Sequence, residues 1–469
     1  MQKDMRTFLD DLDRAGQLIK IHKEVDVDEN MGTLNIEAVR QREKAIYYDN
    51  IKGFPGWRAV SAVTGTRKNV AIALGLSVEE VTPFLAQKLR DVKFEPLKVV
   101  NEGPIKEIVI KGDDIDLFKL PINVVSEGDN GRFIGSGWIT VTDPETGIPN
   151  ISVHRHQIKT KDKMGVMMVA GRHAWRIYEK YKELKRDMPV SLVIGHHGIV
   201  ELASCWTTSY GVDENQIAQL LMDEPLEMIK SETNDILVPA RAEVVIEGYV
   251  PWDVLEEEGP FGEHTGCTIA GTGKNPVIMV TAITHRKDPI FFQITEGPLT
   301  DGAILDAIPM EVELYNRLRD VGGGPDLKNV VVQECGGGGH FIAIQMTPRY
   351  PGEVKGVLMA ALSSNYLHPK VAVAVDDDVN PFIPSEIIWS ISTKINPIED
   401  TFIINGTRGH SLDSSLPRVS PKGQNPVIRV GSRIGIDATK PPIGDPARIE
   451  LARIVPKGYG KYHLDDFVE

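Results

Sequence analysis

The sequence has few cysteines, no long apolar run and no excess of positive charge. Its three cysteines, Cys205, Cys267 and Cys335, lie far apart and form no CxxC motif. This spacing excludes a disulfide framework and a structural zinc ribbon, and it favours a reducing compartment. No segment approaches the roughly 18 apolar residues that a transmembrane helix needs. The amino terminus also lacks the apolar segment of a signal peptide, so we expect a cytoplasmic protein with no membrane partner.

The charge balance is acidic: 66 Asp and Glu against 52 Lys and Arg give a net charge of −14. Because the sequence contains no dense basic stripe, we expect no nucleic-acid partner. Hydrophobic residues make up 41% of the chain and charged residues 25%, which is typical of globular proteins and argues against disorder. A chain of 469 residues exceeds what one core usually holds, so two or three domains are predicted.

Hydrophobic periodicity divides the chain into three regions of a mixed α/β (α+β) protein. Residues 1–105 combine a helix from about Met5 with a strand and with a second helix that a capping box at Ser77 and Glu80 opens, which predicts a small α/β domain. Residues 106–300 contain many short strands and few long helices, which favours a barrel or a sandwich. Residues 301–469 alternate helices with strands and predict a second α/β domain.

The first candidate site is a pair of acids, Glu258 and Glu263. The stretch 259–262 between them holds three helix-breaking residues, which predicts an irregular loop that can aim both acids at one point. A carboxyl group in a dry pocket keeps its proton near neutral pH, which suits general acid–base catalysis. A solvated acidic turn is the commoner interpretation of such a pair when it stands alone.

The second candidate site is a polar run that begins at Asn150. Strand alternation places Asn150, Ser152, His154 and His156 on one face and Arg155 on the other. The planar guanidinium of Arg155 suits bidentate binding of a carboxylate or a phosphate. The two histidines could form half a zinc site, but such pairs are more often hydrogen-bonded surface histidines.

The remaining candidates are each weaker when taken alone. His173 is more typical of a structural histidine than of a ligand, and Glu214 is an acid favoured in the first turn of a helix. The glycines 336–339 match neither a dinucleotide-binding motif nor a phosphate loop, and they indicate a turn. Residues 376–378, three aspartates at a strand end, fit either a divalent-cation site or a strand cap.

In combination, these motifs resemble the UbiD family. The resemblance rests on Asn150 with Arg155, then His173, then Glu214, then the stretch 258–263, in this order along the chain. Three further stretches are similar to the family and extend the resemblance over nearly the whole chain: 231–239, 375–379 and 435–439. The family comprises decarboxylases that use prenylated FMN, and it includes ferulic acid decarboxylase.

The resemblance implies a fold of three domains. These are an N-terminal α/β domain (1–105), a central flavin-reductase-like split β-barrel that binds prenylated FMN (106–300), and a C-terminal α/β domain that forms oligomer contacts (301–469). A homodimer or homohexamer is therefore expected.

The resemblance also implies a role for each candidate residue. Asn150, His173 and Glu214 match the metal ligands of the family, which are expected to hold Mn²⁺ or Mg²⁺ against the cofactor phosphate, with K⁺ as a further candidate ion. Arg155 and Glu263 match the catalytic arginine and the proton donor, and Glu258 matches the carboxylate beside them. The residues expected to contact the cofactor are Asn150, Ser152, Val153, His154, Arg155, Arg172, His173, Glu214 and Lys370.

The implied reaction is reversible, non-oxidative decarboxylation of an aromatic, heteroaromatic or α,β-unsaturated carboxylic acid. Its expected partners are the substrate acid, CO₂ and a flavin prenyltransferase that supplies the cofactor. We expect Glu263, protonated in a dry pocket, to deliver the proton that replaces CO₂. Substrate selectivity is expected in the segment 293–301 and in C-terminal side chains. Two alternatives stay open: a Mn²⁺-dependent hydrolase in which Glu263 activates water, and a non-catalytic flavin-binding subunit.

Overall fold

Helices flank a four-stranded sheet in the N-terminal part of the computed structural model, which describes residues 2–269, 273–420 and 427–468. The elements in chain order are α1 (Met5–Arg14), β1 (Leu18–Ile21), α2 (Met31–Arg42), β2 (Ala45–Tyr48), β3 (Arg58–Ser61), α3 (Arg67–Leu74), α4 (Val78–Lys88) and β4 (Lys98–Val99). Strands β1 and β2 are parallel, whereas β2 and β3 are antiparallel.

Local sequence explains where these helices begin. The Asp4 carboxylate accepts the Thr7 N–H at the start of α1, and the apolar face of this helix is buried. At α4, the Glu80 carboxylate accepts the Ser77 N–H at 2.9 Å, which confirms the predicted capping box. The helix predicted from Met5 and the helix predicted at Ser77 are therefore both present.

The central region is built on a large, curled half-barrel sheet. Its elements are β5 (Ile108–Lys111), β6 (Phe133–Ile134), β7 (Trp138–Thr142), β8 (Pro149–Val153), β9 (His156–Thr160), β10 (Lys163–Gly165), α5 (His173–Glu183), β11 (Met188–Ile194), α6 (Gly198–Ser204), α7 (Glu214–Met222), β12 (Glu227–Lys230), β13 (Leu237–Pro239), β14 (Val244–Val250), β15 (Leu255–Glu258), β16 (Phe261–Gly262), β17 (Thr268–Ile269), β18 (Gly273–His285) and β19 (Ile290–Gln293). Ten strands join this sheet, and the long strand β18 pairs with four of them: β5, β10, β14 and β15.

The structure differs from the sequence-based prediction at two points in this region. Strand β19 pairs in parallel with β3, so the fourth strand of the N-terminal sheet comes from far along the chain. The polar run from Asn150 is not one strand: β8 ends at Val153, the chain turns at His154 and Arg155, and β9 begins at His156. The alternation therefore stops at Val153, and His156 lies in another strand.

The C-terminal region has its own five-stranded sheet. It follows the long helix α8 (Asp301–Leu318) and contains β20 (Asp326–Val332), β21 (Phe341–Thr347), α9 (Glu353–Leu362), β22 (Val371–Val375), α10 (Pro384–Lys394), β23 (Thr401–Gly409) and β24 (Arg429–Ala438). The strand order is β20-β21-β22-β24-β23, with a parallel centre formed by β21, β22 and β24. This alternation of strands and helices agrees with the sequence-based prediction.

Helix α8 connects the two main hydrophobic cores. Ile304, Leu305 and Ile308 pack into the core shared by the N-terminal and central regions, whereas Met310 and Leu314 pack into the C-terminal core. Among the described residues, no single helix is long and apolar enough to span a membrane; α3 and α4 meet such a criterion only when they are counted together across a 54° bend.

Candidate active site

A cavity of about 270 Å³ lies where β8, α8 and the loops of the C-terminal sheet meet. Every residue predicted to contact the cofactor lines this cavity except Lys370, whose ammonium group lies 3.2 Å from Asp413 Oδ2 in an ion pair. Apolar walls come from residues such as Val169, Ile294 and Leu305. The fold thus brings sequence-distant polar groups to one partly apolar space, which is typical of ligand sites.

Arg155 is the centre of a buried ion-pair network at the cavity wall. Its Nε and Nη2 donate to the two carboxylate oxygens of Glu258 at 2.8 and 2.7 Å, and its Nη1 donates to Glu263 Oε1. The three side chains are at most 8% exposed. The bidentate contact fixes the guanidinium plane. The Arg155 Cζ atom lies over the ring of Phe261, 5.3 Å from the ring centroid.

The two acids are placed by short strands rather than by one irregular loop. Glu258 ends β15, which pairs with β18, and Glu263 follows β16, which pairs with β17. Glu258 holds Arg155 from outside the cavity lining, whereas Glu263 itself lines the cavity. The expectation that both acids converge on one point is met, because one guanidinium contacts both.

The charge state of Glu263 differs from the expectation of a protonated acid. Burial acts to raise the pKa of Glu263, but the Arg155 guanidinium and His264 outweigh burial and hold this pKa below its usual range. The contact with Arg155 therefore favours the ionised form of Glu263. A dry pocket does not keep the proton on this carboxyl group, because a cation is in direct contact with it.

A second ionisable group of residues adjoins Glu263. His264 Nδ1 lies 3.6 Å from Glu263 Oε2, and His264 Nε2 lies 3.5 Å from Asp306 Oδ2. Burial acts to lower the pKa of His264, but Glu263 and Asp306 outweigh it and raise this pKa to about 9. Burial and the charge of Glu263 raise the pKa of Glu296 to about 8. At neutral pH the cavity therefore contains an imidazolium and a neutral carboxylic acid.

Asn150 and Glu214 are in direct contact, and His173 lines the same cavity. The Asn150 amide nitrogen lies 3.1 and 3.2 Å from the two Glu214 carboxylate oxygens, which also accept from the Ile151 N–H and the Thr208 hydroxyl. Burial raises the pKa of Glu214 to about 7. Burial, reinforced by nearby arginines, lowers the pKa of His173 and keeps its imidazole neutral at neutral pH.

In the histidine pair of the polar run, His156 is buried and His154 is half-buried. His154 Nδ1 pairs with the Met167 carbonyl at 2.8 Å and its Nε2 with the Ser152 hydroxyl at 2.9 Å. His156 Nδ1 lies 3.3 Å from the Ile134 carbonyl. Burial lowers the pKa of His154 to about 4 and that of His156 to about 3. His156 is thus a hydrogen-bonded structural histidine, whereas His154 also lines the cavity, and its contact with a cofactor stays a prediction.

Several cavity residues were not singled out by the sequence. Asp306 lies on the long helix α8, His368 precedes strand β22, and His410 follows strand β23. The rings of His368 and His410 stack on each other with centroids 3.8 Å apart. No local motif surrounds these residues, so only the fold brings them together. Glu296 lies within the segment 293–301 that was expected to govern selectivity.

The raised pKa of Glu296 predicts an alkaline loss of stability. A carboxyl group whose folded pKa, about 8, exceeds its unfolded value contributes stability at low pH that is lost as the pH rises through 8. Glu296→Gln cannot ionise, so its melting temperature should exceed that of the wild type near pH 9 and differ less near pH 6. Differential scanning calorimetry at both pH values measures this difference. Parallel pH profiles for the two proteins would contradict the assignment.

Three family models match consecutive parts of the chain. They are the N-terminal domain (residues 9–89), the Rift-related domain (98–299) and the C-terminal domain (303–438) of 3-octaprenyl-4-hydroxybenzoate carboxy-lyase. A phenolic acid decarboxylase of Sedimentibacter hydroxybenzoicus is 31% identical over 456 residues, covering 94% of this chain and 92% of that protein. The chain belongs to the UbiD family.

Solved structures of the family share the whole fold. The UbiD-class enzyme HmfF from Pelotomaculum thermopropionicum, in complex with FMN, is 33% identical, with a TM-score of 0.90 over 99% of this chain and 100% of HmfF. An evolved dimeric form of HmfF in complex with prFMN is 31% identical, with a TM-score of 0.87 over 100% of both chains. Vanillic acid decarboxylase of Sedimentibacter hydroxybenzoicus in its open form is 29% identical, with a TM-score of 0.83 over 98% of this chain and 97% of that chain. The family named by the sequence resemblance and the expected fold class are confirmed.

Proposed function

We propose that this protein catalyses the non-oxidative decarboxylation of an aromatic carboxylic acid with prenylated FMN bound in the cavity around Arg155. The buried Arg155, fixed by Glu258 and shared with Glu263, carries the proposal, because it places a carboxylate-binding group beside a proton-transferring group. The relatives named phenolic acid and vanillic acid decarboxylase support a carboxy-lyase over the hydrolase and the non-catalytic subunit. Relatives solved with FMN and with prFMN support the cofactor.

The chemistry of Asn150, His173 and Glu214 fits a hard divalent cation. Glu214 is 1% exposed, and the partners that surround its carboxylate are neutral amide and hydroxyl groups. A cation would compensate the burial that raises its pKa to about 7. An amide oxygen, an imidazole and a carboxylate suit Mn²⁺ or Mg²⁺ better than zinc. Asn150 would present its amide oxygen to the ion, and the ion would supply the counter-charge for the cofactor phosphate.

The cavity also fits a flavin. Residues 150–155 form one wall, Arg172 adds a cationic group, and Val169, Ile294 and Leu305 add apolar surface for a ring system. When bound, prenylated FMN supplies an electron sink for the carbon that loses CO₂, a carbon from which direct loss would leave a prohibitively unstable anion. A flavin prenyltransferase remains the expected supplier of the cofactor.

The ionised state of Glu263 suggests how the proton is loaded. Arg155 binds the substrate carboxylate and so shares its charge between that carboxylate and Glu263. A second negative charge next to Glu263 raises its pKa, which favours protonation of Glu263 when the substrate arrives. His264, 3.6 Å from Glu263 Oε2 and protonated at neutral pH, is placed to supply this proton. After CO₂ departs, Glu263 gives the proton to the vacated carbon.

Decarboxylation of a panel of acids tests the proposal. The protein is produced beside a flavin prenyltransferase, and CO₂ release is measured from hydroxybenzoic, heteroaromatic and cinnamic acids. We expect release from at least one aromatic acid, and none from protein produced without the prenyltransferase. A fully cofactor-loaded protein that releases no CO₂ from any of these acids would overturn the proposed reaction.

The oligomeric state, homodimer or homohexamer, stays a prediction. Several large apolar side chains near the carboxyl terminus support a contact between copies, because they are exposed in the single chain: Ile449, Ile454, Tyr459, Leu464 and Phe467.

A further inference from the structure

We propose that His264, Asp306 and His368 form a second metal site, for a nitrogen-preferring divalent cation such as Zn²⁺, at the cavity. Their ligand atoms all lie within 4.8 Å of one another. Ligand atoms around tetrahedral zinc lie roughly 3–3.5 Å apart, so movements of about 1 Å would close the three side chains around an ion. Two imidazoles and one carboxylate are a ligand set that zinc and cobalt accept.

Unsatisfied nitrogens support this site. In the described part of the chain, His264 Nε2 and His368 Nδ1 are buried and make no hydrogen bond. Buried nitrogens without a hydrogen bond are costly; a cation would satisfy His368 Nδ1 and would replace the 3.5 Å ion-pair contact between His264 Nε2 and Asp306. His368 is 7% exposed, so a cation bound to it would be largely shielded from solvent. His264 loses a proton when it binds a cation, so binding should strengthen as the pH rises.

The surrounding backbone is shaped to the two histidines. Gly338, at φ +61°, lies so close to the His264 ring that a Cβ atom there would collide with Cδ2. At Gly339, with φ +98°, a Cβ would come within 2.9 Å of His368 Cβ. The glycine run 336–339, which the sequence indicated only as a turn, therefore allows close packing around both proposed ligands.

The three ligands come from three separate parts of the fold. His264 follows β16 in the central region, Asp306 lies on α8, and His368 precedes β22 in the C-terminal sheet. A bound cation would therefore fasten the C-terminal region to the central one across the cavity. It would also draw His264 from Glu263 and occupy space needed by the substrate. Zn²⁺ at this site is thus expected to inhibit the enzyme.

The other acid cluster, residues 376–378, does not share these properties. Lys440 Nζ lies 3.0 to 3.5 Å from a carboxylate oxygen of each of the three aspartates. Arg448 Nη2 lies 2.7 Å from Asp376 Oδ1. Because these cations already pair with the cluster, it is less suited to a further cation than the site at His264.

Cobalt binding tests the second site. The protein is kept in a large excess of Mn²⁺, because Co²⁺ binds N/O sites more tightly than Mn²⁺ and only mass action keeps the site at Glu214 filled with Mn²⁺. Co²⁺ is then titrated while its visible ligand-field absorption is recorded. We expect one further Co²⁺ per chain, with the strong absorption of a four- or five-coordinate ion, displaced by Zn²⁺. His368→Gln and Asp306→Asn should each weaken Co²⁺ binding at least ~10-fold, since even loss of an outer partner costs about 10–100-fold.

His173→Ala is the matched control. It removes a ligand of the proposed Mn²⁺ site and should leave the Co²⁺ absorption unchanged. Binding of no further Co²⁺, wild-type Co²⁺ affinity in both ligand variants, or loss of the absorption in His173→Ala would overturn the site. If circular dichroism shows that His368→Gln does not fold, Asp306→Asn, which keeps the shape of the side chain, becomes the test of the site.

Inhibition by Zn²⁺ is measured separately. CO₂ release by the wild-type enzyme should fall as Zn²⁺ fills the site and recover when a chelator removes it. An unchanged rate in the Zn²⁺-filled enzyme would contradict the inhibitory role. This part rests on the proposed decarboxylation, whereas the binding test does not, so failure of the reaction and failure of the metal site are distinguishable.

Discussion

Glu263→Gln is expected to give a protein that binds prenylated FMN and metal normally but decarboxylates ~10²–10⁴-fold more slowly, the usual cost of losing a positioned general acid. Glutamine keeps the size of the side chain and can still accept a hydrogen bond from Arg155, but it cannot carry the transferred proton. Steady-state CO₂ release and the flavin absorption spectrum, recorded on the same preparation, measure the two effects.

The control for this variant is Glu257→Gln. Glu257 lies on the same strand β15 but is exposed, so its charge can be removed without touching the cavity. We expect near-normal turnover in this control. A cofactor-loaded Glu263→Gln enzyme with near-normal turnover would assign proton delivery to another group, and Glu258 would be the next candidate.

Glu214→Ala is expected to lose both metal and cofactor. Removing this carboxylate leaves Asn150 and His173 as the remaining ligands, so Mn²⁺ affinity should fall by more than the ~10–100-fold that an outer partner costs. Without the ion, the cofactor phosphate loses its counter-charge in the buried site. Elemental analysis for manganese and flavin absorbance of protein produced beside the prenyltransferase measure the two losses.

Asp213→Asn is the matched control for the metal site. Asp213 is the adjacent buried acid, but its carboxylate caps α7 by accepting the Asn215 N–H, a role that asparagine also fills. We expect the Asp213→Asn protein to contain the full amount of manganese and flavin. Full flavin and manganese occupancy in Glu214→Ala would refute the assignment of Glu214 as a ligand.

Local signals in the sequence predicted some of the helices and strands, among them α1 and α4. The capping box at Ser77 and the apolar stripe of α1 each involve residues close together in the sequence, so local sequence was sufficient to predict these two helices. The pairing of β19 with β3 depends on contacts between residues 232 positions apart, which no local pattern encodes. The domain boundaries near residues 105 and 300 stay predictions.

The candidate site was also predicted only in part, because local patterns do not encode contacts between distant residues. The acid pair and Arg155 form recognisable motifs, and the fold brings them into contact. The ionised state of Glu263 depends on the distance to Arg155 and His264, which the sequence does not contain. Likewise, His368 and His410 reach the cavity only through the path of the C-terminal strands.

Deuterium incorporation during decarboxylation tests the central claim most directly. The enzyme loaded with prenylated FMN is assayed in D₂O with an acid that it decarboxylates, and the product is examined by NMR. The proposal predicts one solvent deuteron at the carbon that carried the carboxylate, formed only by cofactor-loaded protein and strongly slowed in Glu263→Gln. Equal product formation by protein that lacks the cofactor, or a product without solvent deuterium at that carbon, would contradict it.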